Sequence, residues 1–382
     1  MKFVLAPDSF KESMSAKEAA EAMKKGIKKV IPDAECVLVP MADGGEGTVQ
    51  SLVDATNGEI IETIVTGPLG NKVKAMFGIL GDRETAVIEM ASASGIHLLK
   101  KEERNPLLTT TYGTGELIKA ALDKNVKRIL IGIGGSSTND GGAGMIQALG
   151  AKLLDKEGNE IEFGGGALEK LYKIDLSGLD KRLENVIIEA ACDVTNPLTG
   201  KEGASYVFGP QKGATPEMIE KLDKNLAHYA EIIRKDLGKD IENIPGAGAA
   251  GGLGAGLMAF LNAELKRGVE LVIKYTNLEE KIKEANYVFT GEGSIDHQTI
   301  FGKTPYGVSM TAQKLGIPVI AFAGRIGDGI EVLYDKGINS IIGIMPGASS
   351  IEDALKQGSE NLERAAENIA RILIINNKNC IN

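Results

Sequence analysis

Seven carboxylates, Asp8, Asp43, Glu46, Asp140, Asp193, Glu292 and Asp296, stand where short apolar runs give way to glycine-rich or polar segments. Two lysines, Lys11 and Lys303, lie in the same kind of segment. A single Asp in such a place is more often a turn or cap residue. The coincidence is what points to chemistry. Carboxylates that can hold Mg²⁺, lysines that neutralise phosphate oxygens and glycine loops that donate N–H groups are the parts phosphoryl transfer needs. The densest stretch is 128–150, RILIGIGGSSTNDGGAGMIQALG. Its apolar run 129–133 predicts a buried strand. A loop follows with Gly134, Gly135, Ser136, Ser137, Thr138, Asn139 and Asp140, and then Ala143, Met145, Ile146 and Leu149 fall at helical spacing. Strand, glycine loop and helix start together aim free N–H groups and the positive helix end at an anion. The same letters also suit a tight turn whose Ser and Asp cap the helix. This stretch alone does not choose between the two.

Other patterns are excluded by their own spacing. Gly302-Lys303-Thr304 resembles the end of a P-loop, but the glycine needed five positions before Gly302 is His297, and Pro305 follows. Gly246, Gly248 and Gly251 match G-x-G-x-x-G in form, yet the lead-in 239–243 is polar and predicts no strand there, which speaks against a dehydrogenase. His97, His228 and His297 make no metal spacing, and no G-x-S-x-G is present.

The elements that must position these groups follow from the apolar periodicity. Residues 2–6 and 35–40 predict strands, each followed by a polar loop and a helix, the first helix capped by Ser15. From Gly58 the period changes: 59–66, 73–80 and 85–90 alternate and predict antiparallel strands. A helix is expected over 114–124, a strand over 186–191, and helices over 216–237 and 253–261. The first pattern then returns, with strands at 287–290, 318–323 and 340–345, a polar loop over 291–303, and helices at 304–315, 330–336 and 351–375. Two strand–loop–helix units at the front and three at the back predict a flavodoxin-like (Rossmann-like) doubly wound parallel-sheet domain. It is expected over 1–59 plus 286–382, with a second mixed α/β domain inserted over 60–285 and the active site in the cleft between them.

Composition narrows the class. At 382 residues two domains are expected, and a net charge of −9 argues against nucleic acid as a partner. Cys36, Cys192 and Cys380 form no disulfide or metal pattern. The apolar run 3–6 is too short for a signal segment and nothing approaches a membrane span, so a soluble cytoplasmic protein, monomeric or homodimeric, is expected.

Six ordered blocks resemble the type 1 glycerate kinase family, the glycerate 2-kinases, over about residues 1 to 375. They are APDSFKESMSA, PMADGGEGT, GIGGSSTNDGGAG, DVTNPLTG with VFGPQKGA, GAGAAGGLG, and TGEGSIDHQTIFGKTPYGV. Glu12 stands where the family usually has Gly and Ser137 where it usually has Ala; the tail 376–382 lies outside the match and looks frayed. The resemblance implies ATP- and Mg²⁺-dependent phosphorylation of D-glycerate to 2-phosphoglycerate and ADP. The chemistry then needs a base, metal ligands and cations. Asp193 is the favoured base, with Asp296 its rival and Lys11 also catalytic. Loop 134–140 and Lys303 would receive phosphates, and Asp43 and Glu292 would lie near the metal. Arg104 could pair bidentately with the substrate carboxylate. Asp8, Ser9, Asn196 and Gln298 complete the substrate candidates. The alternatives are a kinase of another small hydroxy acid and a non-catalytic ligand-binding protein on the same fold.

Overall fold

Alternating residues on parallel strands set the architecture of the first of two compact units. In the strand Val319–Ile326, Ile320 and Phe322 join Phe3, Leu5, Phe289, Met23, Ile27, Leu362 and Ala366 in one core cluster. Ala321 and Ala323 point the other way, into a second cluster with Ile295, Leu333 and Ile338. A strand buried on both faces needs helices on both. The structure, a computed structural model, describes residues 1–379, with side chains through Ile375. Cys380, Ile381 and Asn382 of the expected frayed tail lie outside the described residues; the last helix runs Gly358–Asn379.

This unit comprises Met1–Asp43, Gln50–Thr56 and the chain from Val269 onward. Its five strands lie in the order Ile338–Gly343, Val319–Ile326, Tyr287–Ile295, Lys2–Leu5, Glu35–Leu38, and every neighbouring pair is parallel. Counted along the chain, that is the 2-1-3-4-5 order of flavodoxin-like sheets. Its first helix, Ala16–Val30, starts at Ser15. The Ser15 hydroxyl accepts from the Glu18 N–H, and the Glu18 carboxylate accepts from the Ser15 N–H at 2.8 Å, a reciprocal cap. Ala19, Met23, Gly26 and Ile27 share its buried face, which packs on Gly358–Asn379. A Cβ at Gly26 would run into the Glu363 carbonyl and lie 2.8 Å from the Glu367 nitrogen.

The second unit comprises Gly44–Val49 and Asn57–Gly268. Six strands run in the order Glu264–Lys266, Ile187–Ala191, Arg128–Gly132, Thr85–Glu89, Lys72–Ile79, Glu59–Thr66. The last three are antiparallel neighbours, whereas Thr85–Glu89 also pairs in parallel with Arg128–Gly132, so the sheet is mixed. A separate antiparallel pair joins Lys152–Leu154 to Lys173–Asp175. The helix Pro216–Leu237 has Thr215 as cap and ends at Gly238, whose φ of 69° is the left-handed stop. Among the described residues, no helix is long and apolar enough to cross a membrane.

Three expectations need correction. Residues 291–303 are not one loop, because Tyr287–Ile295 continues as a strand with Ser294 in register with Arg325, and a short 3-10 turn, His297–Phe301, follows. The helix expected over 351–375 is two, Ile351–Lys356 and Gly358–Asn379. The break follows from Ser13, whose hydroxyl donates to the Leu355 carbonyl at 2.6 Å and fills the space a Cβ on Gly358 would need. The glycine run before Leu253 is already coiled from Ala249, but Ala250, Gly251 and Gly252 have φ of 53°, 69° and 88° and so kink it.

Replacing Gly26 with Ala should lower stability by about 1–3 kcal/mol, since the helix-propensity gain is outweighed by overpacking. Urea unfolding followed by circular dichroism measures it; an unchanged midpoint would mean the two backbones are not that close. Glu12 has a φ of 63°, the left-handed region, which fits the glycine usual there. Glu12→Gly should raise stability by about 0.5–1 kcal/mol, the relieved strain less the added chain entropy. A lower melting temperature for that variant would count against it.

Candidate active site

In a doubly wound sheet the ligand crevice lies outside the carboxyl ends of the two strands where the order reverses. Here those strands are Lys2–Leu5 and Tyr287–Ile295, with Phe3 opposite Tyr287 and Leu5 opposite Phe289. Past Leu5 the chain keeps to its neighbour, because the Ala6 N–H donates to the Phe289 carbonyl at 2.7 Å and the Asp8 N–H to that of Gly291 at 2.9 Å. Asp8 is thereby held beside Glu292. Its carboxylate accepts from the Ser9 N–H at 2.6 Å and from the Thr304 hydroxyl at the start of helix Thr304–Lys314. Burial, and then the charge of Asp43, still push Asp8 up to about 6. Glu292 is pushed up to about 7, chiefly by burial, although Lys303 Nζ lies 3.2 Å from it. Lys303 Nζ also donates to the Ser294 carbonyl at 3.2 Å.

A relay joins Asp296 to this group. Its N–H donates to the Thr299 hydroxyl at 3.2 Å, and that hydroxyl donates to Glu292 at 3.2 Å. The Asp296 carboxylate caps the following turn by accepting from the Gln298 N–H at 2.8 Å, which leaves Gln298 exposed. Lys11 is exposed, and its backbone nitrogen lies against Gly293. The first unit thus gathers Asp8, Ser9, Lys11, Asp43, Glu292, Asp296 and Lys303 around one pair of strand ends.

The second unit carries the remaining candidates. Loop 134–140 leaves strand Arg128–Gly132 with Gly134 and Gly135 exposed and Ser136 to Asp140 buried. Asp140 ties the loop down. Its carboxylate accepts from the Thr111 N–H and hydroxyl, both at 2.8 Å, and from the N–H groups of Gly142 and Gly144, both at 3.2 Å. Burial pushes its carboxyl up and these donors pull it back. Burial wins, so the carboxyl still lies above its usual range. Gly251 presses on the loop so closely that a Cβ would strike the Thr138 carbonyl, so the failed dinucleotide motif supplies a close-packed helix start. The hydroxyl of Thr138, the amide oxygen of Asn139 and the hydroxyl of Tyr229 are buried without a protein partner.

Asp193 follows strand Ile187–Ala191, is exposed, and accepts from the Gly268 N–H at 3.0 Å, where helix Gly268–Tyr275 begins. The Asn196 amide donates to the Glu202 carbonyl at 2.8 Å and its carbonyl accepts from the Gly248 N–H, so it stiffens the loop behind Asp193. Arg104 lies against the backbone of Gln211, with its Nε buried and unpartnered. Among the described residues, no group of three or more His, Cys, Asp and Glu is placed to hold a metal by itself.

Four groups in or beside these sites escaped the sequence reading. Thr304, partner of Asp8, was passed over with the rejected P-loop pattern. Thr299 completes the relay from inside a segment read as loop. Glu89, at the carboxyl end of strand Thr85–Glu89, accepts from the Val49 N–H at 2.8 Å within the second unit; its place at a strand end was a visible signal. Lys212, inside the block VFGPQKGA, is buried behind loop 134–140, and nothing in the local letters marks it.

A family model described as the glycerate kinase family matches residues 3–374. A glycerate kinase of Bacillus subtilis (strain 168) is 58% identical over 370 residues, 97% of this chain and 97% of the relative. A glycerate 2-kinase of Escherichia coli (strain K12) is 55% identical over 379 residues, 99% of this chain and 100% of the relative. A crystal structure from Salmonella typhimurium LT2 agrees with a TM-score of 0.92 at 53% identity, covering 99% of both chains. On the strength of that full-length match, and of a flavodoxin-like sheet whose switch point carries two of the six blocks, the chain belongs to the glycerate kinase family.

Proposed function

We propose that this chain transfers the γ-phosphoryl group of ATP to the 2-hydroxyl of D-glycerate, giving 2-phosphoglycerate and ADP. The observation that carries the reading is identity above one half, over nearly the whole length, to curated glycerate kinases, one of them named for the 2-position. The strand-end group of Asp8, Glu292 and Lys303 supports it with the right chemistry: carboxylates and a cation at the crevice of a parallel sheet.

We assign Asp193 as the base that takes the hydroxyl proton, with Asp296 as its rival. Lys11 and Lys303 neutralise the transferring phosphoryl group, and the exposed amides of Gly134 and Gly135 receive phosphate oxygens. Arg104, whose Nε lacks a partner, is the proposed fork for the glycerate carboxylate, with Asp8, Ser9, Asn196 and Gln298 as further substrate contacts. Asp43 and Glu292 are the carboxylates assigned to Mg²⁺, which when bound would neutralise phosphate charge. The site fits such an ion: the Glu292 carboxyl, pushed up chiefly by burial and also by the charge of Asp8, would gain from a cation, and Mg²⁺ is usually held by one or two carboxylates with phosphate oxygens and water.

A coupled assay for ADP release should show turnover with D-glycerate under Mg²⁺ and saturating ATP, and little with L-glycerate, glycerol or hydroxypyruvate. Background release with D-glycerate would sink the assignment, and turnover with a different hydroxy acid would redirect it. Asp193→Asn should lower kcat by about 10²–10⁴-fold while ATP affinity is nearly kept. If instead Asp193→Asn turns over normally and Asp296→Asn does not, the two roles exchange. Loss of kcat and ATP affinity together in both variants would move both carboxylates to the metal–nucleotide site.

A further inference from the structure

Loop residues 137–140 are gripped one by one from different segments of the second unit. The Ser137 N–H and hydroxyl donate to the Ser94 carbonyl at 3.0 and 2.9 Å, and the Thr109 hydroxyl donates to the Ser137 carbonyl at 2.8 Å. The Asn139 amide donates to the Ser205 hydroxyl at 3.0 Å. Thr138 is held by Lys212, whose Nζ donates to its carbonyl at 2.7 Å. Lys212 is only 1% exposed, and Asp140 is the charged group that faces it, with the Tyr229 phenol also in the field of that carboxylate.

A buried ammonium is a poor way to hold a core together. Removing it from water costs more than a carbonyl and one carboxylate return, and apolar residues usually fill such space at least as stably. Burial lowers Lys212 from 10.5 to about 7, with Asp140 opposing. The unfolded chain keeps that proton to higher pH, so the charged amine opposes folding most fully below pH 7, and stability from this group rises as pH climbs above it. The side chain is retained at a cost, and the atom it touches belongs to the anion loop.

We propose that Lys212 is a positioning residue of the kinase: it fixes the Thr138 carbonyl so that loop 134–140 presents the amides of Gly134 and Gly135 to nucleotide phosphates. This rests on the reading of that loop as the phosphate receiver. Lys212 itself touches no substrate; it acts through the loop.

The test is Lys212→Met in the full chain, measured four ways. Calorimetric ADP affinity and the KM for ATP should each worsen by about 10–100-fold, the range expected when reacting groups are misplaced by an ångström. The KM for D-glycerate should stay within about twofold. Hydrogen exchange of the 134–140 amides should speed up by at least about tenfold. The variant should stay folded with a lower melting temperature, because the Thr138 carbonyl and Asp140 each lose a buried partner. A variant that fails to fold overturns the inference, since the lysine would then serve the core. Unchanged exchange with unchanged ADP affinity overturns it too. Faster exchange with unchanged ADP affinity leaves Lys212 as the loop's clamp but refutes the loop as the phosphate site, so the two failures are told apart.

Discussion

The parallel pairing of Lys2–Leu5 with Tyr287–Ile295 decides which side chains can meet in the first unit. In a parallel pair both strands end on the same side, so the segments that follow them emerge together. The hydrogen bonds from Ala6 and Asp8 to Phe289 and Gly291 extend that pairing beyond the first strand by one more turn of chain. Asp8, Glu292 and the start of helix Thr304–Lys314 then share one small region, although Asp8 and Thr304 are 296 residues apart in sequence. An antiparallel partner would have sent the second segment to the opposite end of the sheet.

The two units treat their buried carboxylates differently. Asp140 is saturated: each of its oxygens is met by N–H or O–H donors, and the loop it anchors cannot shift without breaking several bonds at once. Asp8 and Glu292 are only partly compensated, and burial holds both well above the usual carboxylate range. A satisfied carboxylate behaves as framework, whereas an under-compensated one is open to a cation or a proton. Both kinds are Asp or Glu in a glycine-rich segment, and only their surroundings separate the roles.

That difference also marks how far the sequence could be read. The five strand–helix repeats of the first unit, the change of period at Gly58 and the cap at Ser15 were visible because periodicity and capping are local. The carboxylates and lysines at strand ends were visible for the same reason. The continuation of Tyr287–Ile295 was hidden because GEGS carries little strand propensity; its order comes from Val319–Ile326 alongside it. The break at Gln357 depends on Ser13, a residue from the other end of the chain. Lys212 was hidden by its type, since nothing in PQKG marks a lysine that will be buried, and lysines seldom are.

The discontinuity of the first unit has a consequence for synthesis. The buried residues of the second unit's main core cluster run from Val65 to Ala263 and the unit ends at Gly268, so it can close once that residue has left the ribosome. The amino-terminal strand and helix must wait for Phe289, Phe322 and Leu362 to cover Phe3, Leu5, Met23 and Ile27. At about 5–20 residues per second the wait is on the order of tens of seconds. Through that interval the nascent chain carries an unpaired strand edge and an uncovered apolar helix face ahead of a folded domain. Chaperones would find their substrate in that arm, and a ribosome stalled before residue 295 would leave a finished insert tethered to a host that never closes.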